Sequence, residues 1–226
     1  MKMKTSWNLK LLYKSDSDPQ IEKDVRSIEK LCTSFEKKYK GKPFTKSPQV
    51  LLKVLNESER MSELMDSYGP LRYFHLRTDL DANDNKSFAM ATKYGQRITE
   101  AANKNKFFGL EIAKIPPNKQ KIFLNYASLK PYKYLLSQSF LNAKYNLTEK
   151  EEQLRSLLGE PSYGMWVDTQ EKLLNKQSIK HNGQEIPIAK ASAGLSDMPK
   201  KERRAVHNEI SKLLKSISYM AEGELN

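Results

Sequence analysis

Asp18-Pro19 and Ser47-Pro48 constrain the fold of this chain more than any other feature. Each pairs a capping side chain with a proline, and proline is tolerated at the first position of a helix because the N–H it lacks would be unbonded there anyway. After the first pair, Ile21, Val25, Ile28, Cys32 and Phe35 follow at steps of three and four, which places them on one helical face. After the second, Leu51, Leu52, Leu55, Met61, Leu64 and Met65 mark an inner face. A chain punctuated this way folds as packed helices.

The pattern continues downstream. Tyr68-Gly69-Pro70 breaks or restarts the chain, and Asp81, Asn83 and Asp84 offer caps to a long helical stretch. Phe88, Ala91, Ile98, Ala102, Phe108 and Ile112 keep step along it until Pro116-Pro117 ends it. Pro131 suits the first turn of a helix carrying Leu135, Leu136, Phe140 and Leu141 inward. Thr148 and Glu151 form a capping box, with Leu154, Leu157 and Leu158 as the inner stripe behind it. Tyr163, Met165 and Trp166 lead into a helix through Leu173 and Leu174.

One segment departs from this periodicity. Ile179, Asn182-Gly183, Ile186 and Ile188 read as a β-hairpin within residues 177–188, because Asn-Gly tolerates the positive φ that a tight hairpin turn needs. Pro187 confines the second strand to an edge. Residues 192–197 read as a loop. A final helix starts near Pro199 with Ala205, Ile210, Leu213, Leu214 and Ile217 inward. The predicted fold is all-α, a multi-helix domain with one small hairpin. Residues 1–175 form a helical lobe, and residues 176–226 add the hairpin and last helix.

The reactive side chains do not assemble a recognisable catalytic motif. His75, His181 and His207 have no second histidine at i and i+4, and no H-E-x-x-H occurs. His75 reads as a packed or partly exposed residue, His181 as exposed beside its turn, and His207 as lying on the charged side of the last helix. Cys32 lies inside an apolar stripe and reads as a small buried residue. Asp79, Asp81 and Asp84 lack the glycine and terminal glutamate of a calcium loop and read as helix caps. Phosphate-loop, dinucleotide and nucleophile-elbow patterns are absent. No catalytic, cofactor-binding or metal residue is therefore assigned.

The formal net charge of +12 attracts anions without selecting among them. Its dense patches are Lys37-Lys38-Tyr39-Lys40-Gly41-Lys42 and Lys200-Lys201-Glu202-Arg203-Arg204. Lysine far outnumbers arginine, which favours a solvated surface over a dedicated nucleic-acid site. A single cysteine precludes an internal disulfide and suits a reducing cytoplasm. No apolar run follows the start of the chain, and none is long enough to span a membrane.

Several stretches together resemble one family. Trp7-Asn8-Leu9-Lys10-Leu11-Leu12-Tyr13 is similar to the Trp-Asp-Leu…Leu-Tyr opening of the oligoendopeptidase F family, with Asn8 in place of the aspartate. Residues 68–84, with Tyr73, Leu76, Asp79, Asp81 and Asn83, resemble its tyrosine-rich helix and acidic turn. Tyr132 to Phe140, then Leu147-Thr148-Glu149-Lys150-Glu151-Glu152, resemble its next landmark. The Asn182-Gly183 hairpin, the Lys201-Glu202-Arg203-Arg204-Ala205 helix start and Met220-Ala221-Glu222-Gly223-Glu224-Leu225-Asn226 follow in the same order.

The resemblance implies the N-terminal lobe of a cytoplasmic zinc oligopeptidase, one wall of a peptide channel. In that family the zinc and its H-E-x-x-H helix lie beyond the matched region, so no catalytic residue transfers and this chain alone is expected to be non-catalytic. Expected partners are a catalytic C-terminal half and oligopeptides, with no membrane. The chain reads as truncated, so an exposed apolar surface could also drive self-association. A basic nucleic-acid-binding protein and a stand-alone interaction scaffold are the alternatives.

Overall fold

A computed structural model describes residues 8–81 and 84–219. Trp7, Asn83 and the segment 220–226, which contributed to the resemblance, lie outside the described residues. The fold is all-α with one two-stranded antiparallel hairpin. It divides into two compact units, residues 1–158 and 159–226.

In the first unit, α1 (Pro19–Tyr39) and α2 (Pro48–Ser67) start where the sequence places them. The Asp18 carboxylate accepts from the Gln20 N–H at 2.9 Å, and the Ser47 hydroxyl accepts from the Val50 N–H at 3.4 Å. Gly69-Pro70 does restart the chain, as α3 (Pro70–Leu80). The long stretch predicted to end at Pro116-Pro117 is two helices, α4 (Asn85–Asn103) and α5 (Lys106–Ala113). The break lies at residues 103–105. There Lys104 and Asn105 donate back three residues instead of four, to Ala101 and Ala102. Asn103 leaves the helical ladder for a reciprocal pair with Gln153: its Nδ2 donates to the Gln153 carbonyl at 3.2 Å, and Gln153 Nε2 returns a bond to its own carbonyl at 3.1 Å. Pro117 then opens α6 (Pro117–Asn125), a helix absent from the sequence reading.

Residues 127–132 form a 3-10 segment containing Pro131, ahead of α7 (Lys133–Asn142). A short 3-10 turn, residues 143–145, leads on to α8 (Glu149–Gly159). The capping box forms: the Glu151 carboxylate accepts from the Thr148 N–H at 2.8 Å, and the Thr148 hydroxyl faces the Glu151 N–H at 3.4 Å. The inner stripe assigned to α8 does not exist. Leu154, Leu157 and Leu158 are all exposed. On α7, Leu136 is fully buried while Leu135 and Leu141 are exposed, and on α2 Leu64 is also exposed.

Apolar packing in this unit forms a string of cores. Phe35, Phe44, Leu51, Leu55, Phe107, Phe123 and Leu136 share one cluster. Ile21 and Val25 pack with Tyr13, Tyr73, Phe74 and Tyr94 in a second. Between them, Ile28 and Cys32 meet Ala101. Polar ties cross the helices. Arg97 of α4 forks onto α1, bonding Glu22 through Nη1 and Glu29 through Nε, both at 2.8 Å. The Tyr13 hydroxyl donates to buried Asp24 at 2.7 Å and accepts from the Gly69 N–H at 3.2 Å. That one phenol joins the N-terminal segment, α1 and the α2–α3 turn.

In the second unit, a π-helical turn (residues 160–164) precedes α9 (Met165–Asn175). Strands β1 (Ser178–His181) and β2 (Gln184–Pro187) pair with Ile179 opposite Ile186. Asn182 and Gly183 take φ of 50° and 78°, the left-handed turn that Asn-Gly predicts. The predicted loop at 192–197 is instead helical: α10 (Ile188–Ala193) runs into a 3-10 turn over 194–197, and Ile188 starts the helix rather than ending the strand. On α11 (Lys200–Ser216) Val206, Ile210 and Leu213 point inward; Ala205 and Leu214, assigned inward from the sequence, are exposed. Leu174 of α9 packs on the same core as Ile179, Ile188 and Val206. The second unit therefore begins at residue 159 and includes α9, ahead of the 175/176 boundary read from the sequence.

Two outcomes follow from these ties. Tyr13→Phe leaves one oxygen of Asp24 without its donor in a buried site, and should lower unfolding free energy in urea by about 1–3 kcal/mol. The Arg97 guanidinium holds the Glu22 carboxyl below its ordinary value of 4.5, against the opposing effect of burial. A depressed carboxyl stabilises the fold above its unfolded value and loses that contribution as pH falls through the folded one. Glu22→Gln should therefore cost about 1 kcal/mol at pH 7, a modest figure because the side chain is partly solvated. The difference from the parent should shrink when urea titrations are repeated below about pH 4.

Candidate functional site

The sequence candidates are dispersed among separate elements. His75 is exposed on α3, and His207 is exposed on α11 with Nδ1 3.5 Å from the Ser211 hydroxyl. His181, expected in solvent, is half-buried, because its Nε2 lies 2.9 Å from Glu202 Oε1 of α11. Cys32 is fully buried with its sulfur 3.8 Å from that of Met65, and burial pushes its thiol up. Asp79 is exposed, and Asp81 closes α3.

Asp84 caps α4 as predicted, accepting from the Ser87 N–H at 3.0 Å and its hydroxyl at 2.7 Å. Burial opposes ionisation there, but the Ser87 donors and Arg77 outweigh it and hold the Asp84 carboxyl below its usual range. Among the described residues no three His, Cys, Asp or Glu side chains converge to hold a metal ion. Three or four donors must meet near 2 Å around zinc, so this donor set does not fit that ion.

Open clefts mark the first unit. One, of about 370 Å³, is lined by Asn8, Lys10, Tyr13, Asp16, Tyr73 and Arg77. The Tyr73 hydroxyl donates to Asp16 at 2.7 Å, and Arg77 lies between Asp16 at 3.3 Å and Asp84 at 3.0 Å. Burial, then the Asp16 contact, pushes the Tyr73 phenol up to about 12. Burial and Asp24 likewise raise Tyr13. Both phenols therefore stay protonated at neutral pH and act as donors, while the arginine is committed to two carboxylates. This arrangement is a clamp on the fold rather than an acid–base pair. Asp16 and Asp24 had no signal in the sequence, and Tyr13 entered only through the family-like opening, since the contacts that join them span eleven to sixty-one residues.

A second cleft, of about 400 Å³, lies between α5 and the start of α8, walled by Phe107, Leu110, Ala113 and Leu147. Its ions are paired at the rim: Glu149 with Lys40 at 2.6 Å and Lys114 with Glu111 at 2.6 Å. A neighbouring hollow of about 270 Å³ shares Leu110, Ala113 and Asn146 with it. This is an apolar slot with a polar edge, suited to holding a side chain.

The basic patch at 37–42 is partly neutralised, with Lys38 on Glu57 and Lys40 on Glu36 and Glu149. In the other patch, Arg203 donates to the Met198 carbonyl and Glu202 is engaged by His181. No helix among the described residues is long and apolar enough to cross a membrane.

Comparison with known proteins gives two findings. Residues 111–176 match the family model described as oligopeptidase F, a span that holds the apolar slot's Glu111, Ala113 and Leu147 and the landmarks at 132–140 and 147–152. The crystal structure of oligoendopeptidase-F from Enterococcus faecium shares the fold, with a TM-score of 0.68 at 17% identity, over 92% of this chain and 42% of that one. The chain thus spans about two fifths of that protein's length. No curated protein matches it. The chain is thus similar to the oligopeptidase F family model over residues 111–176, and it shares the fold of oligoendopeptidase-F over nearly its whole length.

Proposed function

We propose that the chain serves as a non-catalytic helical lobe of an oligoendopeptidase F-like zinc oligopeptidase, forming one wall of the channel that admits peptides. The observation that carries this reading is the fold shared over 92% of the chain with a part, 42%, of oligoendopeptidase-F. The donor set supports it from the other side. Peptide hydrolysis on zinc needs a metal-bound water and a glutamate to accept its proton. This sequence has no H-E-x-x-H, and its histidines sit on α3, β1 and α11.

The lobe's contribution is then steric and electrostatic: it excludes folded substrates and presents lysines to an extended peptide. It works with a zinc-binding catalytic part, and the setting consistent with the single buried cysteine is the cytoplasm.

The test is reconstitution. The chain with zinc and a quenched oligopeptide should show no turnover. Adding the separately produced zinc-binding part of an oligoendopeptidase F should raise that part's cleavage rate or change its peptide preference. Tight stoichiometric zinc with cleavage by the chain alone would overturn the reading, as would a catalytic part indifferent to it.

A further inference from the structure

The sequence between Glu111 and Glu149 contains no aspartate or glutamate, yet holds Lys114, Lys119, Lys121, Lys130, Lys133 and Lys144, all exposed. The same stretch exposes large apolar side chains. On α7, Leu136 is fully buried and so fixes the inner face. Tyr134, Gln138 and Leu141 fall at i, i+4 and i+7 on another side of the helix. Tyr134 is 78% exposed and Leu141 62%. After Lys133 the helix carries no charge at all. Its outer face is therefore an uncharged strip about 15 Å long. Lys130 and Lys133 stand at one end, and at the other stands Lys144, its Nζ 4.8 Å from the ring centre of exposed Tyr145. Two acids of α2, Glu59 and Glu63, lie near Tyr132 at the Lys130–Lys133 end, and Glu59 accepts from the Tyr132 hydroxyl.

We propose that the outer face of α7 is a docking site for an acidic protein segment that presents apolar side chains on one side. Charge complementarity selects the occupant. A second copy would bring the same lysines and meet like charge with like. A phosphate chain would satisfy the lysines but leave Tyr134 and Leu141 uncovered. An acidic amphipathic segment satisfies both, burying the strip while its carboxylates reach the lysines at each end. This inference stands apart from the peptidase reading, because it requires neither a catalytic part nor zinc.

The probe is a short fluorescent peptide of glutamate and leucine at helical spacing, titrated with the full chain and read by anisotropy at physiological salt. It should bind saturably, and a lysine–leucine peptide of the same pattern should not. Reversing Lys130→Glu, Lys133→Glu and Lys144→Glu together should weaken binding by at least about tenfold, and Tyr134→Ser with Leu141→Ser by a similar factor. All five positions are exposed, and thermal melts of the variants should match the parent. Reversing Lys30, Lys53 and Lys86 to Glu changes net charge equally and should leave affinity within about twofold. Equal loss in that control would reduce the effect to bulk charge and overturn the proposal. So would an oligonucleotide binding as tightly as the peptide, or sedimentation showing self-association that Tyr134→Ser with Leu141→Ser abolishes.

Discussion

One stripe on one helix runs through every apolar cluster of the first unit. Ile21 and Val25 of α1 enter the tyrosine-rich core, Ile28 and Cys32 the middle one, and Phe35 the phenylalanine-rich core. At 1.5 Å per residue the helix is about 32 Å long, so a single rigid element sets the spacing of three cores. The other helices are placed by what they offer that stripe. Helix α3 supplies Tyr73 and Phe74, α4 supplies Tyr94 and Ala101, and α2 and α5 supply Leu51 and Phe107. Polar contacts then fix orientation. The Arg97 fork holds α4 against α1, and Tyr13 on Asp24 ties down the strand of chain before it.

What the sequence could show follows from range. Caps, most prolines and the Asn-Gly turn act over four residues or fewer and were legible, whereas Pro117 was read as an end and in fact opens α6. The break between α4 and α5 was not; it lies beside the Asn103–Gln153 pair, whose members are fifty residues apart. Periodicity also cannot say whether a stripe has a partner. Leu154, Leu157 and Leu158 have the spacing of a core face yet are exposed, and Ala205 lost its inward place to Val206 one step round the helix. His181 shows the same limit, since its burial comes from Glu202 on another element.

The functional reading divides along the same line. Resemblance was visible in the order of landmarks, and the two landmarks at 132–140 and 147–152 fall within the residues that the family model matches. The hydrogen-bonded cluster of Tyr13, Tyr73, Asp16, Asp24 and Arg77 was invisible, since hydroxyls and carboxylates carry no periodic signature. Its chemistry is nonetheless simple. Each phenol is pushed above its ordinary value by burial and donates to a facing carboxylate, which ties the segments together beside an open cleft.

The net charge of +12 is a weak guide to what such a lobe selects. At physiological ionic strength an exposed charge is screened over roughly 8 Å, so lysines scattered on distant helices cannot act together on one ligand. Those in the patch at 37–42 are further discounted by Glu57, Glu36 and Glu149. Selection must come from charges and apolar groups that a single ligand can touch at once. The stretch between Glu111 and Glu149 holds no acid of its own, and on α7 it sets Lys130 and Lys133 at one end of an uncharged face and Lys144 at the other. If α7 docks an acidic segment as proposed, its selectivity rests on the spacing of these lysines around an apolar face more than on how many lysines the chain holds.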